Sequence, residues 1–324
     1  MKRENISDAL LGVAIGDALG VPFEFSSREK MQLKPAKGMV GYGTHFQPEG
    51  TWSDDSSLTF CLAESLTSGY NLKDIAEKFI KWKHESYWTA RGNLFDIGKT
   101  TSDAIARLRF ILKKNDINEL YNQKNLGTED ENGNGSLMRI LPLVFYIKDF
   151  TLNKQFEIIW EVSALTHRHI RSAMSCMIYI KMAEKLLQGK NKLSAYQETR
   201  NDINNFWNEI SFPENEKTVF EKIIQKNICE TNIEDLKTGG YVIESLESSF
   251  WFFLKNENYK DTVLSIINLG HDTDTSAAIS GGLAGIYYGR NSIPEEWLNK
   301  LARKNDIIDL AENLFNKLSL RVIN

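Results

Sequence analysis

The chain reads as an all-α protein, one multi-helix domain over residues 1–324, and three observations point there. Only six prolines occur in 324 residues, so few segments are barred from helix by a fixed φ and a missing N–H. Long stretches place apolar residues three and four positions apart, the spacing that buries one face of a helix. Alternating apolar–polar runs of strand length are nearly absent.

The elements follow in order. Ile6, Leu10, Val13 and Ala14 share a helical face behind a possible cap at Ser7. Segment 57–66 carries Leu58, Cys61, Leu62 and Leu66 on one side, and 74–82 repeats the pattern with Ile75, Phe79 and Trp82. Helices are expected next at 96–112, 137–146, 155–165 and 171–187, then at 216–228, 241–254, 259–269, 275–288, 294–303 and 307–318. No repeat, low-complexity tract or Pro/Gly/Ser linker divides them. Seven of the 21 glycines lie in residues 1–50, and others crowd the stretch TSAAISGGLAGIYYG. Glycine in a helix costs about 1 kcal/mol relative to alanine, so such a stretch implies close backbone packing.

Charge and composition exclude several classes. The balance of 39 basic and 43 acidic residues gives a net charge of −4, without the basic stripe of a dedicated nucleic-acid binder. The longest weakly polar stretch, 275–289, is 15 residues, against about 20 for a membrane span. The start, MKRENISDAL, lacks the apolar core of a secretory signal, and a cytoplasmic protein that binds neither membrane nor nucleic acid is expected. Cys61, Cys176 and Cys229 are scattered and show no CxxC, which predicts buried or inert thiols and neither a disulfide framework nor a zinc site.

Two acidic clusters carry the strongest chemistry. Ser53-Asp54-Asp55-Ser56-Ser57 precedes one apolar-periodic run, and Asp272-Thr273-Asp274-Thr275 precedes the small-residue helix. One N-cap needs one oxygen-bearing side chain, and each cluster supplies three in a row. Carboxylates and hydroxyls suit a hard divalent cation such as Mg²⁺ or Mn²⁺, while four converging carboxylates would repel one another without one. A third constellation, Gly133-Asn134-Gly135-Ser136, reads either as a turn with a serine cap or as a loop whose amides at a helix start hold phosphate. Thr166-His167-Arg168-His169 gathers an anion-friendly corner, with His169 read as a surface residue. His271-Asp272 is an HD dipeptide, but the rest of an HD phosphohydrolase pattern fits poorly.

Taken together, the segments GVAIGDALGVPFEF (12–25), GTWSDDSSLTFCLAESL (50–66), GNGSLMRILPL (133–143), LTHRH (165–169) and GHDTDTSAAISGGLAGIYYG (270–289) resemble the ADP-ribosylglycohydrolase family. The resemblance spans nearly the whole chain, and the pairing of an SDD cluster with a distant DTDT cluster is its most specific part. It implies an orthogonal all-α domain with a centre of two Mg²⁺ or Mn²⁺ ions. By motif the metal ligands fall on Ser53, Asp54, Asp55, Asp272, Asp274 and Thr275, with Ser53 standing where several members have threonine. Thr273 is expected to face away. The family's acid after the first glycine motif falls on Glu24, its phosphate loop on Asn134, Gly135 and Ser136, and its cleft histidine on His167. Asp55, Asp272, Asp274 and Glu24 become the candidate catalytic carboxylates. The implied reaction is metal-dependent hydrolysis of the bond between ADP-ribose and an acceptor, foremost a protein arginine. Serine, O-acetyl-ADP-ribose or another ADP-ribosyl conjugate is an alternative acceptor, and a non-catalytic crystallin-like protein is an alternative role.

Overall fold

Scarce proline and apolar periodicity do give helix over most of the described residues, with irregular stretches at 34–53 and 86–98. In the computed structural model, which describes residues 2–321, the order is α1 (Glu4–Gly20), α2 (Arg28–Leu33), α3 (Asp54–Leu66), α4 (Leu72–Glu85), α5 (Lys99–Lys113), α6 (Ile117–Asn122), α7 (Leu143–Ile147), α8 (Leu152–Ala164), α9 (Ile170–Leu187), α10 (Lys192–Glu209), α11 (Glu214–Val219), α12 (Val242–Lys255), α13 (Tyr259–Ile267), α14 (Thr273–Tyr288), α15 (Glu295–Lys300) and α16 (Lys304–Arg321). Short 3₁₀ turns join several of them, and among the described residues no strand forms. Side-chain caps start many of the helices: Ser53, Asn71, Asp116, Thr151, Asn191 and Asn258 each accept from an amide of the first turn, satisfying a donor the helix cannot.

The centre is α1 against α14. They run antiparallel, Gly12 opposite Gly281, Gly16 opposite Ala277 and Gly20 opposite Asp274. A Cβ at Gly16 would lie 2.1 Å from the Ala277 carbonyl oxygen, so only glycine permits this approach. The interface is locked by Tyr259, whose hydroxyl donates to the Gly12 carbonyl at 2.6 Å, and by Tyr179, which donates to Ile279 at 2.8 Å. The glycine-rich stretches therefore act as a packing device.

Several expectations need correction. Segment 4–23 is a longer apolar stretch than 275–289. It is 20 residues, long and apolar enough to cross a membrane by length and composition, yet 94% of its most apolar window is buried inside the protein, as befits a core helix that is apolar all round. Ser7 lies inside α1 and donates to the Glu4 carbonyl at 2.9 Å. Segment 96–112 becomes helical only at Lys99, leaving Asp96 in the preceding loop. Segment 137–146 does not form one helix: tight turns precede Pro142, and α7 starts after it. The stretch 216–228 breaks at Phe220 into α11 and a π-turn. The sequence reading missed α2, α6 and α10; α10 is largely polar, and its buried face rests on Ala195, Tyr196, Thr199, Ile203, Phe206 and Trp207. All three cysteines are free thiols, Cys61 and Cys176 buried and Cys229 half-buried.

Candidate active site

The α1–α14 contact places the first acid. Asp17, one turn before the end of α1, is fully buried beside the start of α14. Its carboxylate accepts from the Ser53 amide at 2.9 and 3.1 Å, the Ser56 amide at 3.0 Å and the Ser56 hydroxyl at 2.6 Å. Asp17 thus anchors the turn that opens α3, and the turn presents Asp54 and Asp55. Ser53 caps α3 through the Asp55 amide, and its hydroxyl lies 3.2 Å from the Asp55 carboxylate. Thr275 donates to the other Asp55 oxygen at 3.2 Å, so the clusters, 220 residues apart in sequence, meet at one carboxylate. Thr273 turns away and donates to the Gly20 carbonyl at 2.8 Å.

A loop closes over the acids from the other side. The Phe25 amide donates to the His271 carbonyl and the His271 amide to Ser26, both at 2.7 Å, which pins the Glu24 segment to the start of α14. His271 itself is exposed, so the HD dipeptide supplies a backbone clamp and not an imidazole. Glu24 is buried, with His45 Nε2 in a short contact on its carboxylate. Ligand atoms of Glu24, His45 and Asp96 lie within 4.8 Å of one another; so do those of Glu24, Asp272 and Asp274, and those of Asp17, Asp55 and Asp274.

Opposite stands the glycine loop. Asn134–Ser136 is a 3₁₀ turn, and the expected helix start does not follow it directly. Asn134 joins the loop to the acids: its side-chain amide donates to Asp272 at 2.7 Å and to Ser245 at 2.8 Å. Behind the loop, fully buried Arg139 donates to the Gly135 carbonyl and, at 3.2 Å, to Val162. His167, 3% exposed, packs beneath Gly133 and Gly135. A Cβ at Gly135 would sit 2.5 Å from His167 Cε1, so glycine there makes room for the ring. Ser136 is 0% exposed, its hydroxyl 2.9 Å from the donating Ser163 hydroxyl and 3.6 Å from Cys176 Sγ. That side chain faces the interior and not the site.

Electrostatics separates the two sides. Burial raises the Asp17 carboxyl to about 6, against the hydrogen bonds from Ser56 and Ser53. Burial raises Glu24 to about 7, the His45 bond opposing it and Asp96 and Asp272 adding to it. Asp54, Asp55 and Asp274 are pushed well up by burial first and by one another and their acidic neighbours second. Asp272 and Asp96 also rise through burial. Carboxylates so placed are short of positive charge. Oxygen-only donors in two sets sharing Asp274 fit hard divalent cations. On the other side, burial and then Arg139 and Arg107 drive His167 down to about 3, so it is a neutral ring. Burial lowers Arg139 to about 10.

The structure brings Ser53, Asp55, Asp274 and Thr275 together, and Glu24, Asp272, Asp274 and Asn134 together; Asp54 stands in the same turn as Asp55 but outside these ligand groups, and Gly135 follows Asn134 without touching the acids. Sequence reasoning did not single out Asp17, His45 or Asp96. Asp17 had a signal, a lone acid in an otherwise apolar helical run inside the quoted GVAIGDALG piece; His45 and Asp96 sit in irregular loops with none.

An all-α domain that gathers buried carboxylates from two helix starts opposite a glycine loop defines a class of hydrolase, and comparison identifies which. Residues 1–322 match the ADP-ribosylglycohydrolase family, and the chain belongs to it. It is 32% identical over 314 residues to the ADP-ribosylarginine hydrolase Tri1 of Serratia proteamaculans (strain 568), covering 95% of this chain and 78% of that one. It is 25% identical to the ADP-ribosyl-[dinitrogen reductase] glycohydrolase of Rhodospirillum rubrum, covering 91% and 90%. A solved structure described as an ADP-ribosylglycohydrolase-related protein complex superposes with a TM-score of 0.78 at 26% identity, covering 98% of both chains.

Proposed function

We propose that this ADP-ribosylglycohydrolase cleaves the N-glycosidic bond between ADP-ribose and a protein arginine in the cytoplasm, using two divalent cations, Mg²⁺ or Mn²⁺. The observation that carries the reading is the pair of carboxylate sets sharing Asp274, joined by Asn134 to the glycine loop. Relatives named ADP-ribosylarginine hydrolase favour arginine as the acceptor.

Ser53, Asp54, Asp55, Asp272, Asp274 and Thr275 would hold the cations, Asp17 orienting the first three through the turn it anchors. Bound there, the cations would neutralise the carboxylates and lower the pKa of water at the site. The residues do the rest. The loop at Gly135 receives the pyrophosphate, with Asn134 fixing its distance from Asp272. Glu24, buried beside Asp272 and Asp274 with His45 on its carboxylate, is placed to accept a proton at the site. As the guanidine leaves, the ribose gains oxocarbenium character, which the ionised carboxylates around it stabilise.

The test is release of free ADP-ribose from peptides modified on arginine or on serine, with Mg²⁺ and with chelator. Turnover of the arginine peptide with Mg²⁺ and none with chelator is expected. Equal or faster release from serine overturns the acceptor assignment, and full activity in chelator overturns the metal.

A further inference from the structure

The loops that carry Glu24 and His45 leave three large aromatic side chains in solvent: Phe25 is 70% exposed, Tyr42 71% and Phe46 79%. All three hold left-handed backbone, with φ of 61°, 61° and 54°, a region bulky residues seldom occupy. Their surroundings impose it. Phe25 is clamped to His271, the Thr44 amide donates to the Pro22 carbonyl at 3.1 Å, the Thr44 hydroxyl to the Glu24 carbonyl at 2.6 Å, and Tyr42 to Gln47 at 2.7 Å. These loops are built, and they display rings beside the acids.

Two rings reach the site itself. The His45 imidazole lies between Phe25, centroids 6.0 Å apart and planes tilted by 58°, and Phe95, 5.3 Å and 52°. The same imidazole contacts Glu24, and Asp96 is the residue after Phe95. Phe25 is exposed and lies outside the hydrophobic core, so packing does not account for it.

We propose that Phe25 and Phe95, flanking His45 beside Glu24 and Asp96, form the acceptor subsite, which receives the guanidinium and methylene stem of the modified arginine. The inference rests on the arginine reading given above. A guanidinium is planar, always charged and weakly hydrated; it stacks on aromatic faces and pairs with carboxylates. This wall offers both features side by side, and the stem packs on the phenyl rings. A serine-linked acceptor has neither charge nor stem to use them.

The experiment measures steady-state kinetics on an arginine-modified peptide, with ADP-ribose affinity measured separately by calorimetry, for wild type, Phe25→Leu, Phe25→Tyr and Phe95→Leu. Each leucine variant is expected to raise KM for the arginine peptide about 3- to 10-fold and to leave ADP-ribose affinity unchanged. Phe25→Tyr, which keeps the ring, should behave as wild type. Exposed Phe25 can be replaced without unfolding, so it decides the matter even if Phe95→Leu is poorly folded. An unchanged KM in Phe25→Leu, in an enzyme whose wild type turns over the arginine peptide, overturns the subsite alone. Parallel losses in KM and ADP-ribose affinity also overturn it, placing the rings at the nucleotide. A wild type that releases ADP-ribose only from serine peptides removes the arginine reading and the subsite together.

Discussion

The two walls of the site are built from opposite physics. On the carboxylate wall, burial first raises the pKa of Asp17, Asp54, Asp55 and Asp274, and neighbouring like charges add to the rise at Asp54, Asp55 and Asp274. On the glycine wall, the polar groups of the turn are matched: Asn134 by Asp272 and Ser245, the Gly135 carbonyl by Arg139, the Ser136 hydroxyl by Ser163. One wall is held together by the surrounding fold against its own repulsion; the other is at rest. The difference separates a surface that waits for positive charge from one that is a finished template for a ligand. Asn134 bonds to both.

The largest effects should therefore come from the carboxylate wall. Asp55→Ala and Asp274→Ala are each expected to lower turnover by about 10³-fold or more, since each would remove a ligand from the proposed cation site. Ser136→Ala, across the cleft, should change ADP-ribose affinity by less than about 3-fold, because its hydroxyl bonds inward, and should instead cost about 1 kcal/mol of stability. Turnover, calorimetry and urea unfolding on the three variants separate these outcomes. Near wild-type release of ADP-ribose by folded Asp274→Ala would reduce the DTDT segment to a helix cap.

How much of this was legible follows the same division. The SDD and DTDT clusters stand out because three oxygen-bearing side chains in a row exceed what a helix cap uses. Their meeting through Thr275 and Asp55 depends on the α1–α14 crossing, of which the sequence shows only the glycines. Asp17 gains meaning only once Gly16 and Gly20 bring it against α14. Asp96 looked like the start of a helix and lies instead in the loop before Gly98, while His45 sits in a stretch without periodicity. Helix existence was legible where the apolar face was strong. It failed at α10, whose buried positions are diluted by polar residues, and at 137–146, where Pro142 and tight turns replace a helix.

The next effect in size sharpens the contrast through stability. Without metal, Asp17 at about 6 and Glu24 at about 7 bind protons in the folded state that they lose in the unfolded chain, where ordinary carboxyl values hold. The folded state then binds more protons between roughly pH 4 and 7. The stabilisation is fully present below the unfolded values and is lost as pH rises through the folded ones, so metal-free protein should melt lower at pH 7.5 than at pH 5.5. Mg²⁺ or Mn²⁺ should remove that loss, adding about 2.7 kcal/mol at a hundred times the dissociation constant, and Asp274→Asn should blunt the gain. Melting curves across pH, with and without metal, measure it. A melting temperature indifferent to metal, with binding shown by calorimetry, would mean that the unfolded chain binds the ion as tightly as the folded protein and that the acids form no site specific to the fold.

The smallest effect belongs to the glycine wall and runs with the opposite sign. His167 is depressed to about 3, by burial first and then by Arg139 and Arg107, while in the unfolded chain it titrates near 6.5. The unfolded state therefore takes up a proton that the native state refuses. Stability from this residue is present above pH 6.5 and drains away as pH falls toward 3. His167→Gln keeps a polar partner for Thr166 but has no charge to gain. It should cost about 1–2 kcal/mol at pH 7 through lost packing beneath Gly133 and Gly135. The gap to wild type should then shrink below pH 6.5 and reverse sign before pH 4.5, where the acid penalty of the buried imidazole reaches about 2.7 kcal/mol and falls on wild type alone. Turnover at pH 7.5 should fall only about 3- to 10-fold, as expected of a ring that supports the loop from behind. Urea midpoints of both proteins at several pH values give the comparison, and taking the difference between them cancels the carboxylate contribution common to both. A gap that stays constant from pH 7 to 4.5 would mean that His167 titrates normally in the folded protein, and the glycine wall would then carry charge of its own in acid.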